Sequence, residues 1–198
     1  MPTQQEIVKQ MNDAIWVLTE YAKKTFGLPD DFKITVKHTF AVGVQVSRGG
    51  LHRVNGVVVP YAKFALNRFQ YPVTGMEEYA RFANDPVIGS VKTGCWKSYL
   101  RVLVAHEVAH VVQWYLAYFM SHHELIRWFG RERGHGGLFQ DIYRTLRLFV
   151  NPTLQITEVT HTRDELSKMR GIVIEHSEFV GKKYMTGGRV YECVGYIS

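Results

Sequence analysis

The sequence has very few cysteines. Only Cys95 and Cys193 occur among its 198 residues. Two cysteines cannot build a disulfide framework, and they cannot build a zinc cluster of four cysteines. A fold that depends on either device is therefore excluded.

The sequence also lacks the apolar segments of exported and membrane proteins. Residues 1–10 are polar where a signal peptide has an apolar core. The longest apolar run, residues 100–120, is interrupted by an arginine, a glutamate, two histidines and a glutamine, which argues against a membrane span. We therefore expect a cytoplasmic protein without a signal peptide, located at the nucleoid or in the nucleus if it associates with DNA.

The overall composition is that of a globular protein with a basic charge. Hydrophobic residues make up 46% of the chain, which is enough to bury the core of one domain. The formal net charge is +6. A charge of this size permits a nucleic acid or another anionic partner but does not require one.

The most informative stretch is Arg101–His110, which reads R-V-L-V-A-H-E-V-A-H. Its flanks are apolar nearly all round, which is typical of a helix buried at the centre of a domain. On such a helix His106 and His110 lie on one face, so both imidazoles can bind one metal ion. Glu107 lies about 100° further round, beside the metal's open position.

This HExxH spacing suits a hydrolytic metal centre. Zinc held by neutral nitrogen ligands, with one position open, lowers the pKa of bound water to about 7. A carboxylate beside it can act as general base, the role that the pattern indicates for Glu107. Two histidines do not hold the ion alone, so a third protein ligand is required.

The best candidate for the third ligand is His135. Three glycines surround it, and an apolar-faced helix follows. A histidine in such a turn can be directed at a neighbouring helix. Glu124 and Glu132 remain as alternatives, since a downstream glutamate serves this role in other zinc peptidases. His122 and His123 are expected in the first turn of a short helix, Glu124–Phe129, as exposed residues rather than ligands.

Two further segments give clear patterns. Residues 3–26 have helical periodicity, with a capping box of Thr3 and Glu6 and a stop at Gly27. Residues 32–66 alternate with period two and contain the turn Asn55-Gly56, which predicts an antiparallel sheet of three or four strands. We expect the edge of this sheet to bind an extended substrate by strand addition.

Other parts of the chain are less regular. Residues 67–94 are interpreted as a connection that could form one wall of a cleft, with a short helix near Met76–Asn84. The histidines of the sheet, His38 and His52, are interpreted as ordinary strand residues.

Together these stretches resemble the SprT-like metalloproteases, the family that includes Spartan. In that family an HExxH helix is followed by a third histidine in an H-G-x-x-F element, and the corresponding residues here are His106, Glu107, His110, His135, Gly136 and Phe139. The resemblance implies an α+β fold with a zincin-like core, in which the HExxH helix packs on a small antiparallel sheet. It implies that the three histidines bind zinc, that Glu107 is the general base, and that the substrates are proteins, in several members proteins on DNA.

The resemblance also indicates a division of the chain. Residues 1–150 are predicted to form the metalloprotease core, and residues 151–198 a short β-hairpin extension. Many family members end in a zinc ribbon with paired C-x-x-C motifs, whereas this segment has Cys193 alone. If the protein binds DNA, basic residues near Arg127 to Arg147 could make the contacts instead of a ribbon; the alternative is an ordinary solvated charged face.

The leading hypothesis is thus a zinc-dependent endopeptidase that uses metal-activated water. Tyr143, His122 and His123 are candidates for the oxyanion donor, and Asp141 for an acceptor that orients a ligand histidine. One alternative is a domain that binds nucleic acid or protein, in which zinc only stabilises the fold. Another keeps the peptidase chemistry but directs it at a cell-wall peptide or a single host protein.

Overall fold

The structure is a computed structural model of mixed α and β content. It describes residues 1–44, 46–79, 82, 85, 87–119 and 134–150, together with the backbones of three strands in the C-terminal segment. The α-helices of the described residues are α1 (Gln4–Phe26), α2 (Trp96–Phe119) and α3 (Gly137–Val150), and a short 3-10 helix covers Asn67–Gln70. None of these helices has the length and apolar character needed to cross a membrane.

Helix α1 has the ends that the sequence predicts. The Thr3 hydroxyl accepts from the Glu6 backbone N–H at 3.2 Å, and the Glu6 carboxylate accepts from the Thr3 N–H at 2.7 Å. Gly27 adopts a left-handed conformation with φ of 64° and ends the helix. One face of α1, including Ile7, Met11 and Leu18, is buried in the core.

Helix α2 lies at the centre of the core, as its apolar flanks predict. It contacts α1, α3 and the sheet, so it is buried on nearly every side. Its polar residues His106, Glu107 and Gln113 are buried with the rest. Polar groups in such a place are costly unless they have hydrogen-bond partners.

The main sheet has three strands in the order β1-β3-β2: β1 is Thr35–Thr39, β2 is Arg48–Val54 and β3 is Val57–Ala65. The predicted hairpin is confirmed, because β2 and β3 are antiparallel and turn at Asn55 and Gly56, both with positive φ. The prediction of a wholly antiparallel sheet is wrong, since β1 runs parallel to β3. Alternation within a strand shows which side chains share a face, but not which neighbour the strand pairs with or in which direction.

The inner face of this sheet packs on α2. Ala62 and Phe64 of β3 are fully buried there, while the alternate residues Tyr61 and Lys63 face outward. Gly49 of β2 lies directly against the backbone of Glu107. The sheet is therefore positioned along the same turn of α2 that carries the HExxH residues.

The segment between the sheet and α2 contains two short strands, β4 (Gly75–Met76) and β5 (Val91–Lys92), which pair antiparallel. The helix predicted near Met76–Asn84 is wrong in its described part, because Met76 is in β4 and residues 77–79 are not helical. At Gly75 a Cβ atom would lie 2.0 Å from the Val91 carbonyl oxygen, so the two strands meet too closely for any other residue.

The C-terminal segment contains strands β6 (Gln155–Val159), β7 (Lys183–Thr186) and β8 (Arg189–Gly195) in the antiparallel order β6-β8-β7. Strands β7 and β8 pair antiparallel with Thr186 opposite Arg189, which is consistent with the predicted β-hairpin extension. Strand β6 was not expected. The predicted helix Glu124–Phe129 lies outside the described residues, and so do residues 171–176, whose sequence is typical of a strand. The division of the chain at residue 150 stays a prediction.

Candidate metal centre

Three histidines meet at one point, as the sequence predicts. His106 and His110 lie one turn apart on α2, and His135 lies in the turn that precedes α3. Their ligating nitrogens all lie within 4.8 Å of one another. His135 Nε2 is 3.0 Å from His106 Nε2 and 2.9 Å from His110 Nε2. The three residues are therefore close enough to bind one metal ion.

Hydrogen bonds on the far side of two rings define which nitrogen faces this point. His106 Nδ1 is 3.3 Å from Glu78 Oε1, and His110 Nδ1 is 3.2 Å from Gln113 Oε1. A ring nitrogen beside an acceptor carries the proton, so the lone pairs of both rings are on Nε2. Two lone pairs directed at one point can share a metal ion, and His135 Nε2 is near enough to be its third ligand. The donor set therefore fits a metal ion.

Gln113 links two of the three histidines. Its oxygen accepts from His110, and its nitrogen donates to the Gly134 carbonyl oxygen at 2.8 Å, in the turn that carries His135. Gln140 donates to the carbonyl oxygen of His135 itself at 3.1 Å. The third histidine is thus held by its backbone, from α2 on one side and from α3 on the other.

Sequence reasoning missed Glu78. Its carboxylate is only 1% exposed, and it accepts from the Tyr143 hydroxyl at 2.7 Å as well as from His106. Glu78 lies in the segment interpreted as a connection, where no periodicity singles it out. Asp141, the acceptor considered from the sequence, instead accepts from Arg144 at 3.4 Å.

Burial and neighbouring charges shift the pKa values of the centre. Burial, with the charges of His106 and His135, lowers the pKa of His110 to about 3, so the ring is neutral and able to bind a metal at neutral pH. Burial raises the pKa of Glu107 to about 7, against the opposing effects of His106 and the Gly49 backbone N–H. A carboxyl group with a pKa near neutrality is suited to general base work.

Gly49 is a second residue that sequence reasoning missed. A Cβ atom on Gly49 would lie 2.0 Å from the Glu107 carbonyl oxygen, so only glycine allows β2 to approach α2 here. Two adjacent glycines inside a predicted strand were the available signal, because such glycines mark a close approach of another backbone.

A cleft of about 650 Å³ opens over the three histidines. Its walls are residues 46–49 at the start of β2, residues 76–79, and the side of α2 that carries Glu107 and Trp114. Tyr79 is 54% exposed, and its ring centre lies 3.9 Å from that of His135. Glu107 is 4% exposed, and this remaining surface faces the cleft. The connection 67–94 thus provides one cleft wall, as expected.

Several residues considered from the sequence lie elsewhere. Tyr143 is fully buried and donates to Glu78, so its proposed part as an oxyanion donor is wrong. Arg147 is also buried, which argues against its binding phosphate groups; Arg144 forms an ion pair with Asp85, and the expectation of DNA contacts near Arg127 to Arg147 stays a prediction. The other residues considered as ligands, oxyanion donors or DNA contacts lie outside the described residues: His122, His123, Glu124, Arg127, Arg131, Glu132 and Arg133.

We compared the chain with protein-family models, with curated proteins and with solved structures, and no match was found in any of the three comparisons.

Proposed function

We propose that this protein is a zinc-dependent endopeptidase with a zincin-like core, as the resemblance to SprT-like metalloproteases implies. The observation that supports it most strongly is the convergence of three imidazole Nε2 atoms beside a buried glutamate, at the floor of an open cleft. His106, His110 and His135 would hold the metal. Zinc bound there would supply a Lewis acid and an acidified water molecule.

Glu107 is the general base of this proposal. It takes the proton of the attacking water and passes it to the leaving amine. The Gly49 backbone and the buried surroundings keep its carboxylate against β2, where it faces the cleft. The close contact of β2 with α2 thus places the base beside the histidines.

The cleft suits an extended polypeptide. Strand β2 is at the edge of the sheet, and its first residues Arg48 and Gly49 form part of the cleft wall. The Gly49 N–H is hydrogen-bonded to Glu107, and the other outward N–H and C=O groups of this edge would bind the backbone of a substrate strand whatever its sequence. The exposed rings of Tyr79 and Trp114 add apolar contacts for its side chains. Cleavage of many unfolded proteins, rather than of one strict site, fits this arrangement.

The non-catalytic alternative requires a closed metal site. A structural zinc normally has four protein ligands, whereas the cluster formed by the described residues contains three histidines and opens to the cleft. A coordination position left open for water favours a catalytic metal site over a structural one.

The test of this proposal is cleavage of a denatured protein by the purified chain, before and after metal removal. We expect cleavage by the zinc-loaded protein, loss of cleavage after treatment with a zinc chelator, and recovery on adding zinc. Activity that persists in the metal-free protein would contradict the mechanism. A zinc-loaded protein that cleaves no denatured substrate would contradict the function.

We also propose that a nucleic acid binds the outer face of the main sheet. Residues 32–76 contain six lysines and arginines and no aspartate or glutamate, which leaves 18 basic and 18 acidic residues in the rest of the chain. The whole net charge therefore resides in this segment. Lys37 and Arg48 each pair in register with Lys63, so three cations form a row on the outer face.

This row is unfavourable for the isolated sheet, because like charges directly opposite each other on neighbouring strands repel. Phosphate groups would relieve the repulsion. On the same face the rings of His52 and Tyr61 lie 5.2 Å apart between centres, and such rings can stack on unpaired bases. The pattern favours a single strand, bound beside the cleft to which Arg48 also belongs.

The test uses two triple variants with the same change in net charge. Replacing Lys37, Lys63 and Arg48 by glutamine should weaken binding of labelled single-stranded DNA. It should also reduce the slope of log K against log salt by about 2, since each lost phosphate contact contributes about 0.7. Glutamine at Lys9, Lys23 and Lys24 of α1 should change binding much less. Equal losses in the two triples, or no binding by the natural chain at low salt, would contradict this surface.

A further inference from the structure

Three polar side chains are buried in a line behind His106. Arg147 is 1% exposed, Tyr143 is fully buried, and the Glu78 side chain is 1% exposed. Arg147 donates to the Tyr143 hydroxyl at 2.8 Å, and Tyr143 donates to Glu78 Oε1 at 2.7 Å. His106 Nδ1 lies 3.3 Å from the same carboxylate oxygen. We call Glu78, Tyr143 and Arg147 the Glu78 relay.

The chemistry of Arg147 sets the direction of every hydrogen bond in the Glu78 relay. A guanidinium group can only donate, so the Tyr143 oxygen must accept from Arg147. The single proton of the hydroxyl is then directed at Glu78, whose oxygen must accept it. The same oxygen can accept from His106 only if Nδ1 carries the proton. The Nε2 lone pair of His106 is therefore left facing the other two histidines.

Helix α3, which carries Tyr143 and Arg147, also holds the backbone of the segment that precedes α2. Arg147 also donates to the Gly89 carbonyl oxygen at 3.5 Å, and Arg144 forms an ion pair with Asp85. Asp85 in turn accepts from the backbone N–H groups of Val87 and Ile88. Helix α3 thus fastens the segment that carries Glu78 and places its carboxylate behind α2.

A buried arginine and a buried carboxylate are costly to retain for stability alone. Apolar side chains of similar volume often stabilise a core as well or better. Carboxylates behind ligand histidines, by contrast, orient the ring and increase its basicity, and their loss typically weakens metal binding by about 10–100-fold. The relay has this geometry, extended by two further residues.

We infer that Arg147, Tyr143 and Glu78 act as positioning residues, which hold His106 in the tautomer and orientation that bind the metal. This inference rests on the metal centre of the proposed function, but it does not depend on peptide cleavage. Tyr143 and Arg147 act through Glu78, and Glu78 acts through His106. The effect of Tyr143 on metal binding should therefore vanish when the Glu78 carboxylate is absent.

The experiment measures zinc affinity by competition with a chelator in the full-length chain. Tyr143→Phe should weaken zinc binding by about tenfold, and Glu78→Met by about 10–100-fold. Glu78→Gln keeps an acceptor oxygen and should recover part of the loss. The double variant Glu78→Met with Tyr143→Phe should bind zinc as the Glu78→Met variant does. The visible spectrum of bound Co²⁺ should shift in the Tyr143 variant, because the orientation of His106 changes.

The matched control is Tyr99→Phe. Tyr99 is a buried tyrosine of α2 whose hydroxyl is hydrogen-bonded to Arg68, so its loss should reduce stability without changing zinc affinity or the Co²⁺ spectrum. Natural affinity in the Tyr143→Phe variant, or an equal loss in the Tyr99→Phe variant, would overturn the relay. Losses that add in full in the double variant would overturn it as well. If the natural chain binds zinc but cleaves no protein, the proposed peptidase activity is contradicted. The comparison of zinc affinities among the variants still tests the relay.

Discussion

Replacing Glu107 by glutamine is expected to reduce peptide cleavage by a factor of about 10²–10⁴ while zinc stays bound. Glutamine has the same shape and can still accept from the Gly49 backbone N–H, so the contact of β2 with α2 should persist. It cannot take a proton from water at neutral pH. The variant should therefore be unable to deprotonate the attacking water, while its three-histidine metal centre stays intact. The measurements are the cleavage rate of a denatured protein and the zinc content of the same preparation.

The matched control for this prediction is Glu20→Gln on α1. It makes the same chemical change on the surface, where Glu20 pairs with Lys23. Its activity should be close to that of the natural chain. Cleavage retained by the Glu107 variant at a similar rate would show that another group activates the water. Loss of zinc from that variant would show that Glu107 holds the site together rather than catalysing the reaction.

The second large effect is expected from His135→Ala. Structural zinc sites bind with about 10–16 kcal/mol, shared among four ligands, so one ligand contributes roughly 3 kcal/mol. Loss of His135 should then weaken zinc binding by about a hundredfold or more, since each 1.4 kcal/mol is tenfold. Cleavage should fall with metal occupancy and recover in part at high zinc concentration. Equilibrium dialysis against zinc and a cleavage assay over a zinc series measure the two effects.

His38→Ala is the control for that variant. His38 is an exposed histidine of β1, paired in register with Phe64, and it is not part of the cluster. Zinc affinity should be unchanged. If the His135 variant kept the natural affinity, the third ligand would have to come from another residue, and Glu124 or Glu132 would be the next to test.

Local features of this protein could be predicted well from sequence. The capping box at Thr3, the turn at Asn55 and Gly56, and the buried helix around His106 each depend on residues within a few positions of one another. The structure has all three. The prediction of His135 as the third ligand joined residues that are distant in the sequence. It combined the need for a third ligand with a glycine turn 25 residues after His110, and the structure brings the residues together.

Features that depend on long-range packing could not be predicted. Glu78 and His106 are 28 positions apart, and nothing in the residues around Glu78 indicates that its carboxylate reaches α2. Arg147 carries a charge that suggests the surface, yet it is buried because Tyr143 and the Gly89 carbonyl oxygen accept its hydrogen bonds. Tyr143 could not be placed for the same reason. The sequence suggested that its hydroxyl faces the substrate, whereas in the structure it donates to Glu78.

The sequence by itself determined where the chain forms α1, α2, α3 and the hairpin of β2 and β3, and which residues could supply metal ligands and a base. Only the tertiary structure decided that β1 runs parallel to β3, that Gly49 lies against Glu107, and that Glu78 stands behind His106. The physical reason is the range of the interactions. Periodicity and capping act between neighbours along the chain, whereas pairing direction, close backbone contacts and buried hydrogen bonds depend on which segments the core brings together.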